Sequence, residues 1–256
     1  MNILITGGTG FIGLELTKFF FNEGHNLIIL SRGRINVPNA RIINSIEEIN
    51  LNEKIDVIIN LAGASINKRW NDSYKNLLIN SRLEVTNNLL LLVNSLKTKP
   101  DLLISASAIG YYGAQNNEYI DEESTVTNDF SHKLCDLWEK EAKKIENIGV
   151  RTCITRLGVV LGKGGMLKQT LPIFKLGLGG KIGSGEQFFS WVHIDDIKHA
   201  FDFFIKDTSQ KGVYNLTSPK PCSNYIFTKK LGRVINRPTI FAVPSYIIKI
   251  IFGEMG

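Results

Sequence analysis

In the first two thirds of the chain, apolar residues come in short dense bursts: NILIT from Asn2, NLIILS from Asn26, ARIIN from Ala40, DVIINLAG from Asp56, DLLISAS from Asp101 and RTCITRLG from Arg151. Runs of this length, apolar on both sides, are the pattern of strands covered on two faces. Longer segments with helical spacing lie between several of them. Phe11 to about Asn22 predicts one helix. Between DVIINLAG and DLLISAS, the stripes of Leu77, Leu78, Leu83, Leu89, Leu90 and Val93 predict another, with Asp72 as its cap and Pro100 just past its end. The alternation predicts an α/β fold with a Rossmann-type, doubly wound parallel sheet. Only about eight residues separate NLIILS from ARIIN, too few for a crossover helix, so one helix of the simplest scheme is reduced to a loop.

After Gly162 the texture changes. GKGGM, GLGGK and GSGEQ crowd glycines together, and FFSWVHIDD, a helix, GVYNLTSP, a second helix and TIFAVP follow. The expected organisation is a nucleotide-binding domain over residues 1–162 and a smaller C-terminal substrate lobe over 163–256, with elements returning to the sheet.

Composition narrows the classes of function. The 256 residues carry a formal net charge of +6, but the Lys and Arg are scattered and form no basic run, which argues against nucleic acid. Cys135, Cys153 and Cys222 stand far apart without a CxxC pair and read as buried free thiols. The first apolar run breaks at once into glycines, and no stretch reaches the length of a membrane span, so no membrane association is expected and the cytoplasm is the expected location.

TGGTGFIG, residues 6–13, is the most informative motif. Gly7 allows a tight turn, Gly10 lets backbone approach a pyrophosphate with no Cβ in the way, and Gly13 permits a helix to pack closely on the strand; the helix-start amides then face the phosphates. The end of the second strand selects the dinucleotide. An NAD site wants a carboxylate there, whereas this chain has Ser31 and Arg32. A guanidinium fork suits a 2′-phosphate, so NADP is the expected cofactor.

Together with NLAGASINKRW, ISASAIGYYG, FSHKLCDLWEKEA, RLGVVLGKGG and FKLGLGGKIGSGEQFFSWVHIDD, this motif resembles the extended and atypical short-chain dehydrogenases/reductases, the NAD(P)-dependent epimerase/dehydratase group, and within it the YfcH-like "epimerase family protein" subgroup. The resemblance covers essentially the whole chain. It implies that Gly7, Thr9, Gly10, Phe11, Ile12 and Gly13 line the phosphates, that Ser31 and Arg32 hold the 2′-phosphate, and that Leu61, Ala62 and Gly63 lie under the adenosine half. Members of the subgroup continue past Gly-Glu-Met, so the resemblance also implies a C-terminal segment that the sequence as given lacks. Arg82, four residues before Thr86, either reaches a cofactor phosphate from an inward helix face or forms a surface ion pair with a neighbour such as Glu84.

Short-chain reductases pair a strand-end Ser or Thr with Tyr-x-x-x-Lys on the next helix, where the ammonium favours the phenolate. Ser107 falls at the hydroxyl position, but the helix places Ser131 and Cys135 where Tyr and Lys are expected. Tyr225 and Lys229 have the spacing, but on a distant segment that reads as a surface helix. Tyr111 and Tyr112, just past Ser107, are the alternative phenols, with packing at a sheet edge as their other reading. Asp195 or Asp196 of HIDD reads as a helix cap, and GLGGKIGSGEQ as a substrate-side wall whose amides can receive an anion. The function read from these residues is an NADP-dependent oxidoreductase or epimerase acting on a small polar, sugar-derived molecule, with Ser107, Tyr111 and Tyr112 as catalytic groups. The alternative is an NADP(H)-binding sensor or partner-binding module without reductase chemistry.

Overall fold

The computed structural model describes residues 1–33, 37–115, 118–244, 246 and 253. In chain order the elements are β1 (Asn2–Thr6), α1 (Phe11–Asn22), β2 (Asn26–Leu30), β3 (Arg41–Ile43), β4 (Val57–Asn60), α2 (Asp72–Ser95), β5 (Leu102–Ala108), α3 (Phe130–Asn147) and β6 (Arg151–Leu157). They continue with β7 (Val159–Leu161), α4 (Gly165–Lys175), β8 (Gly180–Ile182), β9 (Phe188–Phe189), β10 (Trp191–His193), α5 (Ile194–Lys206), β11 (Gly212–Leu216), β12 (Cys222–Ser223), α6 (Asn224–Val234) and β13 (Phe241–Val243). A 3-10 turn at Ile109–Tyr112 follows β5 directly.

Among the described residues, seven parallel strands form the main sheet in the order β11-β6-β5-β4-β1-β2-β3. All six apolar bursts read from the sequence are in it, and no helix is described between β2 and β3. The strand order reverses between β1 and β4, so their C-terminal ends flank the topological switch point where such sheets bind ligands. Leu4, Ile28, Ile58, Leu103 and Ile154 face one way and pack with Leu89, Leu92 and Val93 of α2 and Ala142 and Ile145 of α3. The alternate residues Ile3, Ile5, Ile29, Ile59 and Ile104 are fully buried on the opposite face, where α1 packs on β1 and β2 and also meets α5.

The chain divides into two compact units, each assembled from distant segments. The first comprises Met1–Ala64, Leu78–Leu157 and Ile194–Leu216, and so takes in α5 and β11. The second comprises Ser65–Leu77, Gly158–His193 and Thr217–Gly256, and it holds the short pairs β7–β10, β9–β12 and β8–β13.

Three local expectations change. The start of α2 is capped by Asn71, whose Oδ1 accepts from the Tyr74 N–H at 2.8 Å, and Asp72 already lies in the first turn. Asp195 and Asp196 likewise fall inside the first turn of α5, where they favour the helix through its dipole and not as the cap residue. Cys135 and Cys153 are buried free thiols, but Cys222 is only half-buried.

Candidate functional site

The turn from β1 into α1 gives each glycine a separate duty. Gly7 has φ +70°, and a Cβ there would lie 2.9 Å from the Leu61 carbonyl. At Gly13 a Cβ would sit 2.3 Å from the Gly7 oxygen, so only glycine lets α1 pack this close to the loop. Gly10 differs: a Cβ would meet only the Gly7 oxygen, at 3.3 Å, and otherwise project into open space. The helix start has no side-chain cap and no acidic residue in its first turn. The first intrahelical bond there runs from Leu14 N–H to Gly10, so the amides of Phe11, Ile12 and Gly13 precede the helix ladder. A glycine-floored cradle ringed by amides suits a pyrophosphate, and a side chain at Gly10 would fill it. Sequence reading passed over Gly8, where a Cβ would lie 2.7 Å from Ile29 of β2.

The neighbouring strand ends complete this edge. Ser31 is buried just past β2, its N–H bonded to Ile43 and its hydroxyl near Gly33, while Arg32 beside it is exposed. After β4, the Leu61 and Ala62 amides both donate to Thr6 Oγ1 at 3.2 Å, which ties the Leu61–Gly63 segment to the end of β1. Thr6 donates to Asn60 Oδ1 at 2.7 Å, and Asn60 in turn donates to Thr86 and Ser105. Arg82 is buried at 8% exposure and is not a surface residue. Its guanidinium donates to the Leu78 and Ala64 carbonyls, lies 5.0 Å from the Trp138 ring centre, and backs on Gly63 so closely that a Cβ there would be 2.8 Å from Cζ.

Farther along the same edge lies a buried polar network that sequence reading missed. The strand register places Ser107 of β5, Arg156 of β6 and Asn215 of β11 side by side. Ser107 donates to Glu139 Oε1 at 2.7 Å. Arg156 grips Glu139 with Nε and Nη2, both at 2.9 Å, and each of the two side chains is at most 4% exposed. Arg156 also donates to the Tyr112 hydroxyl at 2.9 Å and stacks on Tyr111 with Cζ 3.4 Å from the ring centre. Tyr112 donates onward to Asn215 Oδ1 at 2.8 Å. Burial opposes charge on Arg156, but the bonds to Glu139 and Tyr112 outweigh it and raise its pKa. Burial raises the Tyr112 phenol above its ordinary value, outweighing the opposing pull of Arg156 and Asn215. Beside them, burial first and the Glu139 charge second push the Cys135 thiol up to about 11.

The sequence profile of the NAD dependent epimerase/dehydratase family matches residues 3–217. The epimerase family protein YfhF of Bacillus subtilis (strain 168) is 37% identical over 263 residues, covering 100% of this chain and 87% of its own length. The chain belongs to the NAD dependent epimerase/dehydratase family. A crystal structure of the human epimerase family protein SDR39U1 (isoform2) with NADPH superposes with a TM-score of 0.89 at 32% identity, over 99% of this chain and 86% of the other. The nucleoside-diphosphate sugar epimerase of Corynebacterium glutamicum gives 0.77 at 31% identity, over 100% and 56%.

In this family member, Ser131 and Cys135 come together beneath Gly110, whose Cβ would lie 3.3 Å from Ser131 Cβ and 3.8 Å from the Cys135 sulfur. The inward face of α3 continues one turn further to Glu139. A carboxylate four residues after Cys135, on a buried stripe with Trp138 and Ala142, was the signal available in the sequence. Tyr225 lies on α6, 47% exposed, with Lys229 Nζ 5.7 Å from its ring centre, as a surface helix implies. In GLGGKIGSGEQ, expected as an anion-receiving wall, several amides are engaged within the chain. Its Ile182, Gly183 and Gly185 amides already serve Asn224, Val243 and Ile182, and the missing Cβ atoms of Gly179 and Gly180 make room for Phe174 and the Phe241 backbone. Among the described residues, no cluster of three metal-ligating side chains occurs and no helix is long and apolar enough to cross a membrane.

Proposed function

We propose that this chain binds NADP(H) along the C-terminal edge of its parallel sheet and is an NADP-dependent oxidoreductase or epimerase acting on a small polar, sugar-derived substrate. The observation that carries the reading is the β1–α1 turn, whose Gly10 opens a side-chain-free approach to the amides of Phe11, Ile12 and Gly13. Support also comes from the NADPH held by the human relative and the sugar nucleotide chemistry named for the Corynebacterium one. When bound, NADPH would give a hydride and NADP+ would take one.

The chain's own residues do the rest. Thr9 and the loop amides receive the phosphates, Ser31 and Arg32 take the 2′-phosphate, Leu61–Gly63 underlie the adenosine half, and Arg82 backs that segment from α2. Ser107 orients the reacting group. The Tyr112 hydroxyl is engaged at both ends by Arg156 and Asn215, so Tyr111 is the phenol that moves the proton. Arg156 lies against its ring where reductases of this kind use lysine.

NADPH and NADH titrations test the cofactor assignment. The protein should prefer NADPH, and Arg32→Asp should weaken NADPH about tenfold or more while favouring NADH relatively. Equal binding of both before and after the change removes Arg32 from the site. With a substrate found by screening metabolite extracts for NADPH fluorescence change, Tyr111→Phe should lower turnover about a hundredfold with unchanged NADPH affinity. Full turnover in that variant ends its assignment as the acid.

A further inference from the structure

Ser107 has one proton to give, and its surroundings dictate where that proton goes. Its hydroxyl faces Glu139 Oε1 at 2.7 Å. Both Glu139 oxygens also receive N–H groups from Arg156, and a guanidinium can only donate. With both oxygens paired to the guanidinium, Glu139 serves as the acceptor that takes the Ser107 proton into the interior. The other group beside Ser107 is Cys135, whose thiol stays protonated and is at most a weak donor.

We propose that Glu139 is a positioning residue that fixes Ser107 as a hydrogen-bond acceptor toward whatever binds beside it, so that the site selects a ligand group that donates, a hydroxyl or an amide N–H, over a bare carbonyl. This rests on the reading that Ser107 lies beside the bound cofactor. The serine's one donor is consumed, and what it has left to offer is its lone pairs. The arrangement suits a polyhydroxylated substrate, which brings donors of its own. It also gives the Glu139–Arg156 pair a purpose beyond packing: the guanidinium holds the carboxylate in place through both oxygens, and the carboxylate orients the serine. Register reinforces this, since Arg156 is the cross-strand neighbour of Ser107.

Neutron diffraction from deuterium-exchanged crystals of the full chain loaded with NADPH reads the proton directly. The expected result is a deuteron on Ser107 Oγ along the line to Glu139 Oε1, with none on either carboxylate oxygen. A Ser107 deuteron turned away from Glu139, or a protonated Glu139, overturns the proposal.

A second measurement reads selectivity by NADPH fluorescence, using 2,2,2-trifluoroethanol as a donating probe and dimethyl sulfoxide as an accepting one. The wild-type protein should favour the alcohol. The double change Glu139→Met with Arg156→Met, which removes the acceptor without stranding a charge, should shift the ratio about tenfold toward the sulfoxide, and adding Ser107→Ala should abolish the shift. An unmoved ratio in the double variant, or the same movement without Ser107, overturns the proposal. If neither probe perturbs the wild-type signal, the placement of Ser107 beside the cofactor falls, and the deuteron position decides the polarity independently.

Discussion

At the scale of single residues, the buried charges and thiols give the sharpest expectations. Arg156→Met strands the Glu139 carboxylate in the interior and should cost about 3–5 kcal/mol in urea unfolding, because an uncompensated buried charge is more expensive than a missing pair. Glu139→Met combined with Arg156→Met should recover most of that loss. Additive losses would show that the two groups do not act as a pair. The cysteines separate by environment. Burial raises Cys135 and Cys153 to about 11 each, and both are enclosed, whereas Cys222 is raised less and is half-buried. Iodoacetamide at neutral pH should therefore modify Cys222 first, as mass spectrometry of the modified peptides would show. Faster loss of Cys135 would contradict its burial beneath Gly110. Ser107, near the end of β5, and the two tyrosines in the turn that follows were legible from their place in the sequence. Glu139 and Arg156 were not, because a charged residue in a sequence looks solvated until the fold shows what covers it.

At the scale of elements, the β1–α1 turn distinguishes glycines that shape the loop from one that leaves room. Gly13→Ala would set a Cβ 2.3 Å from the Gly7 oxygen and should destabilise the protein by about 1–3 kcal/mol. Gly10→Val points mainly into open space, so it should leave the melting temperature unchanged and abolish NADPH binding in an equilibrium titration. Normal affinity in Gly10→Val would remove this loop from the cofactor site. The start of β1 carries a pH dependence. Asp56 accepts from the Asn2 N–H and pairs with Lys54, both at 2.7 Å. Burial raises its carboxyl pKa, but the bonds from Lys54 and Asn2 outweigh this and hold it below the ordinary value. A carboxyl depressed on folding stabilises at pH above its unfolded pKa of roughly 3.9, and the contribution is lost as pH falls through the folded value. Asp56→Asn should therefore flatten the acid limb of the stability profile below about pH 4, and an unchanged limb would show that the pair contributes nothing. These elements were legible because their apolar spacing is local. The true cap of α2 was missed by one residue, since Asn71 and Asp72 are both good caps and only the backbone path chooses between them.

At the scale of the whole molecule, the first unit is completed by α5 and β11, which arrive after residue 193. Ile197, Phe201, Phe204 and Ile205 of α5 are buried, and β11 supplies the strand beside β6 that carries Asn215. A fragment ending at residue 162 should therefore lose cooperative unfolding and expose apolar surface to a fluorescent dye; a sharp two-state transition would show that the first 162 residues suffice without them. The sequence by itself determined the parallel α/β architecture, the glycine turn and the absence of a carboxylate after β2, because each is written in neighbouring residues through period, backbone freedom or side-chain charge. Only the tertiary structure decided that Arg82 is buried against Gly63, that the Tyr112 hydroxyl is already engaged, and that Ser107 gives its proton to Glu139. Those facts depend on strand register and on residues 17 to 103 positions apart meeting in the interior, where a buried polar group is costly without a partner.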